Sequence, residues 1–138
     1  MKKYWMNWHY VDISEVYYIH KTVIKKAGTS AFLRDFALLQ SAVGRPKASY
    51  GGKDLYPTVF LKAASLVQSI CLNHAFSDGN KRTAWLSVKR FLYINGYLLN
   101  AKTKEAVKFV IDIDIKKTDT GKISQWLRAH SKRRNINQ

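Results

Sequence analysis

Within nine consecutive residues, His74-Ala75-Phe76-Ser77-Asp78-Gly79-Asn80-Lys81-Arg82, the chain sets an imidazole, a carboxylate, a glycine turn and two cations. Those residue types at that spacing suit chemistry on phosphates. An imidazole can take a proton from a hydroxyl near neutral pH. A carboxylate can hold a magnesium ion that also binds phosphate oxygens. A glycine-led turn opening a helix aims backbone N–H groups at an anion. Lys81 and Arg82 can neutralise phosphate charge. Together these groups imply phosphoryl or nucleotidyl transfer.

Each residue also has a plainer use. His74 alone would read as a core histidine. Asp78 could cap a helix or pair with Arg82. Gly79 and Asn80 are common turn residues, and Lys81 and Arg82 could be a solvated face. Two features favour the chemical reading. Asp78 is the only acidic residue between Asp54 and Glu105. Lys81 and Arg82 fall in the first turn of a predicted helix, where cations oppose the helix dipole, and a bound anion would remove that conflict. Phe76 reads as a packing anchor for the loop. His9, His20 and His130 have no comparable neighbours and read as structural or surface residues, as do Lys102 and Lys104 at the surface. Trp5 and Trp8 either pack the N-terminal arm or meet a partner.

The elements that must position the motif read as helices. Asp12-Ile13-Ser14-Glu15 has the form of a capping box, opening a helix that runs to about Gly28. A second helix fits Phe32 to Val43, stopped by Gly44 and Pro46. Arg45 to Tyr56 reads as a loop, and Pro57 suits the first position of the next helix. There Phe60, Ala64, Val67 and Cys71 form one apolar stripe. His74 falls next on it, facing the interior, with Lys62, Ser65, Ser69 and Asn73 as the polar side. A helix from about Asn80 to Ile94 follows the motif, with Ala84, Trp85, Val88, Phe91 and Leu92 as its core face. Thr103 to Ile115 mixes helical and alternating spacing and is read as a helix. A last helix fits Lys122 to His130, capped by Thr120 or Asp119. Few turn pairs suit hairpins, so no extended sheet is expected.

The 138 residues predict one domain, and 46% hydrophobic content predicts a globular chain. Cys71 is the only cysteine, which excludes an intrachain disulfide and a Cys/His zinc site. Neither a signal peptide nor a membrane span is read from the sequence, and a cytoplasmic location is expected. The 24 basic against 9 acidic residues, +15 overall, call for anionic partners. Without a helix-turn-helix or RNA-binding signature, direct nucleic-acid binding is not the expectation. The run Lys132-Arg133-Arg134 reads as a solvated, frayed terminus.

The nine-residue run resembles the active-site motif of the Fic/Doc family, His-x-Phe-x-Asp/Glu-Gly-Asn-x-Arg. With Lys81 before Arg82, it is closest to the Doc (death-on-curing) toxin branch. Arg34-Asp35 through Arg45-Pro46, the Gly51-Gly52-Lys53-Asp54-Leu55-Tyr56-Pro57 loop, and Phe91-Leu92-Tyr93-Ile94-Asn95-Gly96 also resemble Doc-like counterparts. The resemblance implies an all-α fold: a single compact domain over residues 1–138, of about six helices, with the active-site loop between two central helices. It implies a transferase that moves part of a nucleotide onto a target-protein hydroxyl. His74 would activate the hydroxyl and Asp78 would hold Mg2+. Gly79 and Asn80 would form the anion cradle. Lys81 and Arg82 would bind phosphates, with Arg82 also stabilising charge in transfer.

In the Doc branch the γ-phosphate of ATP would pass to elongation factor Tu, blocking translation, whereas most Fic members transfer AMP. AMP-transferring members usually carry Gly at the position of Lys81, and many members carry Pro at the position of Ala75. The Lys81 departure favours the kinase; AMP transfer is the alternative, and a non-catalytic nucleic-acid-binding module stands third. No inhibitory Ser/Thr-x-x-x-Glu-Gly/Asn helix is found in the chain. The resemblance therefore implies a separate antitoxin with an acidic, poorly ordered segment (Phd-like). The region Arg45 to Tyr56 is the expected target-docking loop.

Overall fold

The computed structural model describes residues 7–135. Six helices carry the fold: α1 (Ile13–Ala27), α2 (Phe36–Gly44), α3 (Val59–Asn73), α4 (Asn80–Ile94), α5 (Thr103–Lys116) and α6 (Thr120–Ala129). Two short antiparallel ribbons accompany them: β1 (Ser49–Tyr50) with β2 (Lys53–Asp54), and β3 (Tyr97–Leu99) with β4 (Ser131–Arg133). The all-α expectation holds, with no extended sheet among the described residues.

The helix boundaries follow from capping chemistry. Asp12 accepts the Glu15 N–H at 2.9 Å, and Glu15 reaches back to the Asp12 N–H, which closes the capping box of α1. Gly28, at φ 70°, ends it. Asp119 caps α6 through the Lys122 N–H at 2.9 Å. The ambiguous segment after Lys102 is helical, as α5. It starts where the Lys102 N–H donates to the Glu105 carboxylate.

α3 is the central helix, packed against α2, α4, α5 and α6. It is buried on nearly every side, which corrects the expected polar face: Lys62 and Ser65 have no exposure and Ser69 has 4%. Their polar atoms are satisfied internally. Lys62 Nζ donates to the Pro46 carbonyl at 3.0 Å and pairs with Asp54 at 3.2 Å. Arg45 donates to Tyr56 Oη, Gln68 Oε1 and Ser69 Oγ. A buried ammonium such as Lys62 is tolerable only with such partners, and with the half-buried Arg45 guanidinium it binds the 45–56 segment to α3.

That segment is more ordered than a loop. Arg45–Lys47 form a single 3-10 turn, and β1 and β2 form a hairpin across Gly51 and Gly52. Both glycines have positive φ, 60° and 79°, as a two-residue type I′ turn demands.

Three further expectations are corrected. α2 begins at Phe36, not Phe32, with Asp35 as its cap. Pro57 lies two residues before α3, whose cap is Thr58. Lys132 and Arg133 are not frayed: they lie in β4, paired to Leu98 and Tyr97 of β3, and Arg134 follows with its N–H on the Gly96 carbonyl. Trp8 packs against the core; Trp5 lies outside the described residues.

Candidate active site

The motif occupies the turn between α3 and α4 and the first turn of α4, one wall of a cleft of about 490 Å³. His74, Ser77, Asp78, Gly79, Asn80, Lys81 and Arg82 line it, and Val23, Ile24, Ala27 and Thr29 close the other side. Every residue expected to do chemistry therefore meets in one space.

His74 is not interior, as its place on the stripe suggested. It ends α3 in the left-handed conformation, φ 50° and ψ 48°, with its side chain 47% exposed. Leaving the helix at this residue swings the imidazole out of the core and into the cleft. A non-glycine residue holds this conformation only against steric cost. The hold here is the Arg34 guanidinium, which donates to the His74 carbonyl at 2.8 Å.

The loop after His74 is clamped from three directions. The N–H groups of Arg34 and Asp35 donate to the Ala75 carbonyl at 2.7 and 3.1 Å, and the Ser77 N–H donates to the Phe32 carbonyl at 2.9 Å. Asn80 folds back to accept from the Phe76 N–H and donate to the Phe76 carbonyl, at 3.1 and 2.9 Å. From α1, buried His20 stacks on Phe76 with ring centroids 3.7 Å apart. Its Nε2 donates to the Asp78 carbonyl at 2.8 Å, the acceptor fixing the tautomer. Phe76 itself is 1% exposed, an anchor as expected.

Gly79 has φ 80°, a conformation that favours glycine, and a Cβ there would lie 2.9 Å from Ile24 Cδ1, so the turn passes close beneath α1. No side chain caps α4 after it. The backbone N–H groups of Asn80, Lys81 and Arg82 have no acceptor among the described residues, the usual state of a helix N-terminus that receives an anion.

Asp78 does not cap α4 and makes no ion pair with Arg82. Among the described residues its exposed carboxylate accepts only the Gly79 N–H, at 2.8 Å. Among the described residues no cluster of three or more His, Cys, Asp or Glu side chains could hold a metal by itself. One carboxylate beside an anion cradle does fit magnesium, which keeps waters and phosphate oxygens as its other ligands. Arg82 is exposed at the cleft and makes no ion pair among the described residues.

Lys81 behaves differently from expectation. Its ammonium lies 3.1 Å from Asp114 on α5, so a carboxylate of the chain already offsets its conflict with the helix dipole. Asp114 also comes within 3.9 Å of His74 Nε2 and 4.0 Å of Lys117. The Lys81 hydrogen bond first, and the charge of Lys81 and Lys117 after it, hold the Asp114 carboxyl below its ordinary value. Forty residues separate Asp114 from His74 in the chain, with no motif around it to mark it.

A model of the Fic/DOC family matches residues 10–92, from just before α1 through nearly all of α4. The chain belongs to the Fic/DOC family. Membership makes it one of a family of transferases. Toxin Doc of Mycolicibacterium smegmatis is 47% identical over 89 residues, covering 61% of this chain and 68% of that protein. The Doc-like resemblance read from the motif is thereby upheld. The matched Fic/DOC span ends before α5, so Asp114 lies outside the part of the chain that the family model describes.

Proposed function

We propose that this chain is a Doc-type toxin. It transfers the γ-phosphate of ATP to a hydroxyl of a target protein, elongation factor Tu, and blocks translation. The observation that carries the reading is the convergence of His74, Asp78, Lys81, Arg82 and the uncapped N-terminus of α4 on one cleft. His74 takes the proton from the attacking hydroxyl. The N–H groups of the first turn of α4, with Gly79 and Asn80 shaping the approach, receive the phosphate oxygens. Lys81 and Arg82 bind the phosphates, and Arg82 stabilises the charge that spreads over the transferring group. Asp78 would hold Mg2+, which supplies further neutralisation of phosphate charge when bound. Val23, Ile24 and Ala27 provide an apolar wall for the ribose or base. The bond formed joins the hydroxyl oxygen to the γ-phosphorus; the bond broken releases ADP.

AMP transfer is the second reading, and one observation favours it. Lys81 leans onto Asp114, which leaves more of the cleft clear for an α-phosphate than its length alone suggests. ATP labelled at the α or the γ phosphate separates the two. With Mg2+, a bacterial lysate and His74→Ala as control, γ-label alone on a band of the size of elongation factor Tu supports the kinase. Label passed from α establishes AMP transfer instead. No His74-dependent label from either overturns both.

Restraint comes from a separate antitoxin with an acidic, poorly ordered segment. A formal charge of +15 suits that partner, because opposite charge speeds association. The β1–β2 hairpin, pinned by Arg45 and Lys62, is the proposed docking element for the target. In this setting the protein works in the cytoplasm. Among the described residues no helix is long and apolar enough to cross a membrane.

A further inference from the structure

Among the described residues, Asp114 is the one carboxylate that contacts both the imidazole and the first-turn lysine of the motif. It sits on the last full turn of α5, side chain 23% exposed, 3.1 Å from Lys81 Nζ and 3.9 Å from His74 Nε2. α5 has little freedom to carry it elsewhere. Ile113, next in sequence, has no exposure, and Phe109, one turn earlier, stacks on Trp126 of α6 at 4.0 Å. Trp85 of α4 meets both rings edge-on. The carboxylate is thus set by a packed aromatic seam between α4, α5 and α6.

We infer that Asp114 is a positioning residue of the transfer reaction: it tethers the Lys81 ammonium at the rim of the cleft and steadies the His74 ring. This rests on the phosphate-transfer reading above. A negative charge at that place has two opposite effects. It competes with nucleotide phosphates for Lys81 and repels them, so it weakens binding. It also holds Lys81 and His74 in one arrangement, which lowers the ordering cost when the hydroxyl and phosphate come together. Lys117, 4.0 Å away, is the other lysine on Asp114, and it caps the C-terminus of α5. Neither Lys81 nor His74 has another ion-pair partner among the described residues.

The test splits affinity from rate. ATP binding in Mg2+ is measured by calorimetry, and transfer from labelled ATP is measured beside it. Both are run on the full chain, on Asp114→Asn and on Asp114→Glu, with folding checked by thermal melting. Asp114→Asn is expected to bind ATP about threefold more tightly and to transfer at least about tenfold more slowly. Asp114→Glu keeps the charge on a longer arm, so it keeps the wild-type affinity and recovers part of the rate. In a Lys81→Met background the affinity gain from Asp114→Asn disappears, because the two act through one contact. Weaker or unchanged ATP binding by Asp114→Asn, or an unchanged transfer rate, overturns the inference. If the wild-type chain transfers neither label while the affinity shift and its loss in Lys81→Met occur, the tether stands and the transfer reading falls.

Discussion

His74 holds a conformation that costs a non-glycine residue about 1–2 kcal/mol, and it does so where its side chain is exposed to the cleft. If the strain is kept for the reaction, removing it should stabilise the fold and end transfer. We predict that His74→Gly is more stable than His74→Ala by about 1 kcal/mol, measured by urea unfolding, and that neither variant transfers label. Equal stabilities would show that the left-handed turn is relaxed. Gly79 poses the opposite case. With φ 80°, Gly79→Ala should lose about 1–2 kcal/mol, most of it from the backbone, since Ile24 Cδ1 is the end of a flexible side chain and can yield. At Asp78, the proposed magnesium ligand, Asp78→Asn should lower transfer at least about tenfold at limiting Mg2+. Raising Mg2+ should restore part of it; an unchanged Mg2+ dependence would remove Asp78 from that role.

At the scale of elements, the motif loop takes its shape from chain segments that lie far from it in sequence. Residues 32–35 pair by backbone with residues 75–77, including the Leu33–Phe76 bridge. α1 contributes His20 as both a stacking platform and a donor. His20→Phe would keep the ring against Phe76 and lose the bond to Asp78; the expected cost is about 1–2 kcal/mol, with a disproportionate loss of transfer. A variant that loses stability but transfers normally would reduce His20 to packing alone. The β1–β2 hairpin depends on α3 in a similar way. Arg45→Ala removes four hydrogen bonds of the guanidinium, to Tyr56 Oη, the Ser65 carbonyl, Gln68 Oε1 and Ser69 Oγ. It should destabilise the protein by about 2–3 kcal/mol and open the Gly51–Gly52 turn to protease, read by the first cleavage site in limited digestion.

Across the whole molecule, the few acidic residues work hard. Asp12, Asp112 and Asp114 each have a carboxyl held below the ordinary value. At Asp12 the first cause is the Ser14 hydroxyl, at Asp112 it is Lys108, and at Asp114 it is Lys81. A carboxyl depressed in the folded state adds stability above its unfolded value of about 3.9, and that stability fades as pH falls through the folded values. The melting temperature should therefore be flat from neutral pH down to about 5 and drop below about 4. The +15 charge steepens the fall, because protonating carboxylates leaves the cations unopposed. A melting temperature unchanged at pH 3 would contradict these pairings.

Much of this protein could be read along the chain because the signals are local. The capping box at Asp12, the cap at Asp119, the glycine after α1 and the nine-residue motif each depend on neighbours a few positions away, where propensity and hydrogen bonding act directly. The type I′ hairpin was marked in the same way by Gly51-Gly52, a signal read too weakly as loop. What only tertiary structure decided lies in long-range contacts. Residues 32–35 leave the helical pattern because their backbone groups find partners on the motif loop. Lys62 and Ser69 are interior because neighbouring segments supply an acceptor and a donor, the Pro46 carbonyl and the Arg45 guanidinium, that no helical periodicity reveals, while Ser65 donates to the Lys62 carbonyl of its own helix. His74 faces the cleft because its backbone turns left-handed, an option that periodicity does not consider. Asp114 stands beside Lys81 and His74 only because an aromatic seam sets α5 against α4. Its chain neighbours carry no trace of that contact, since electrostatic pairing across space follows packing and not sequence order.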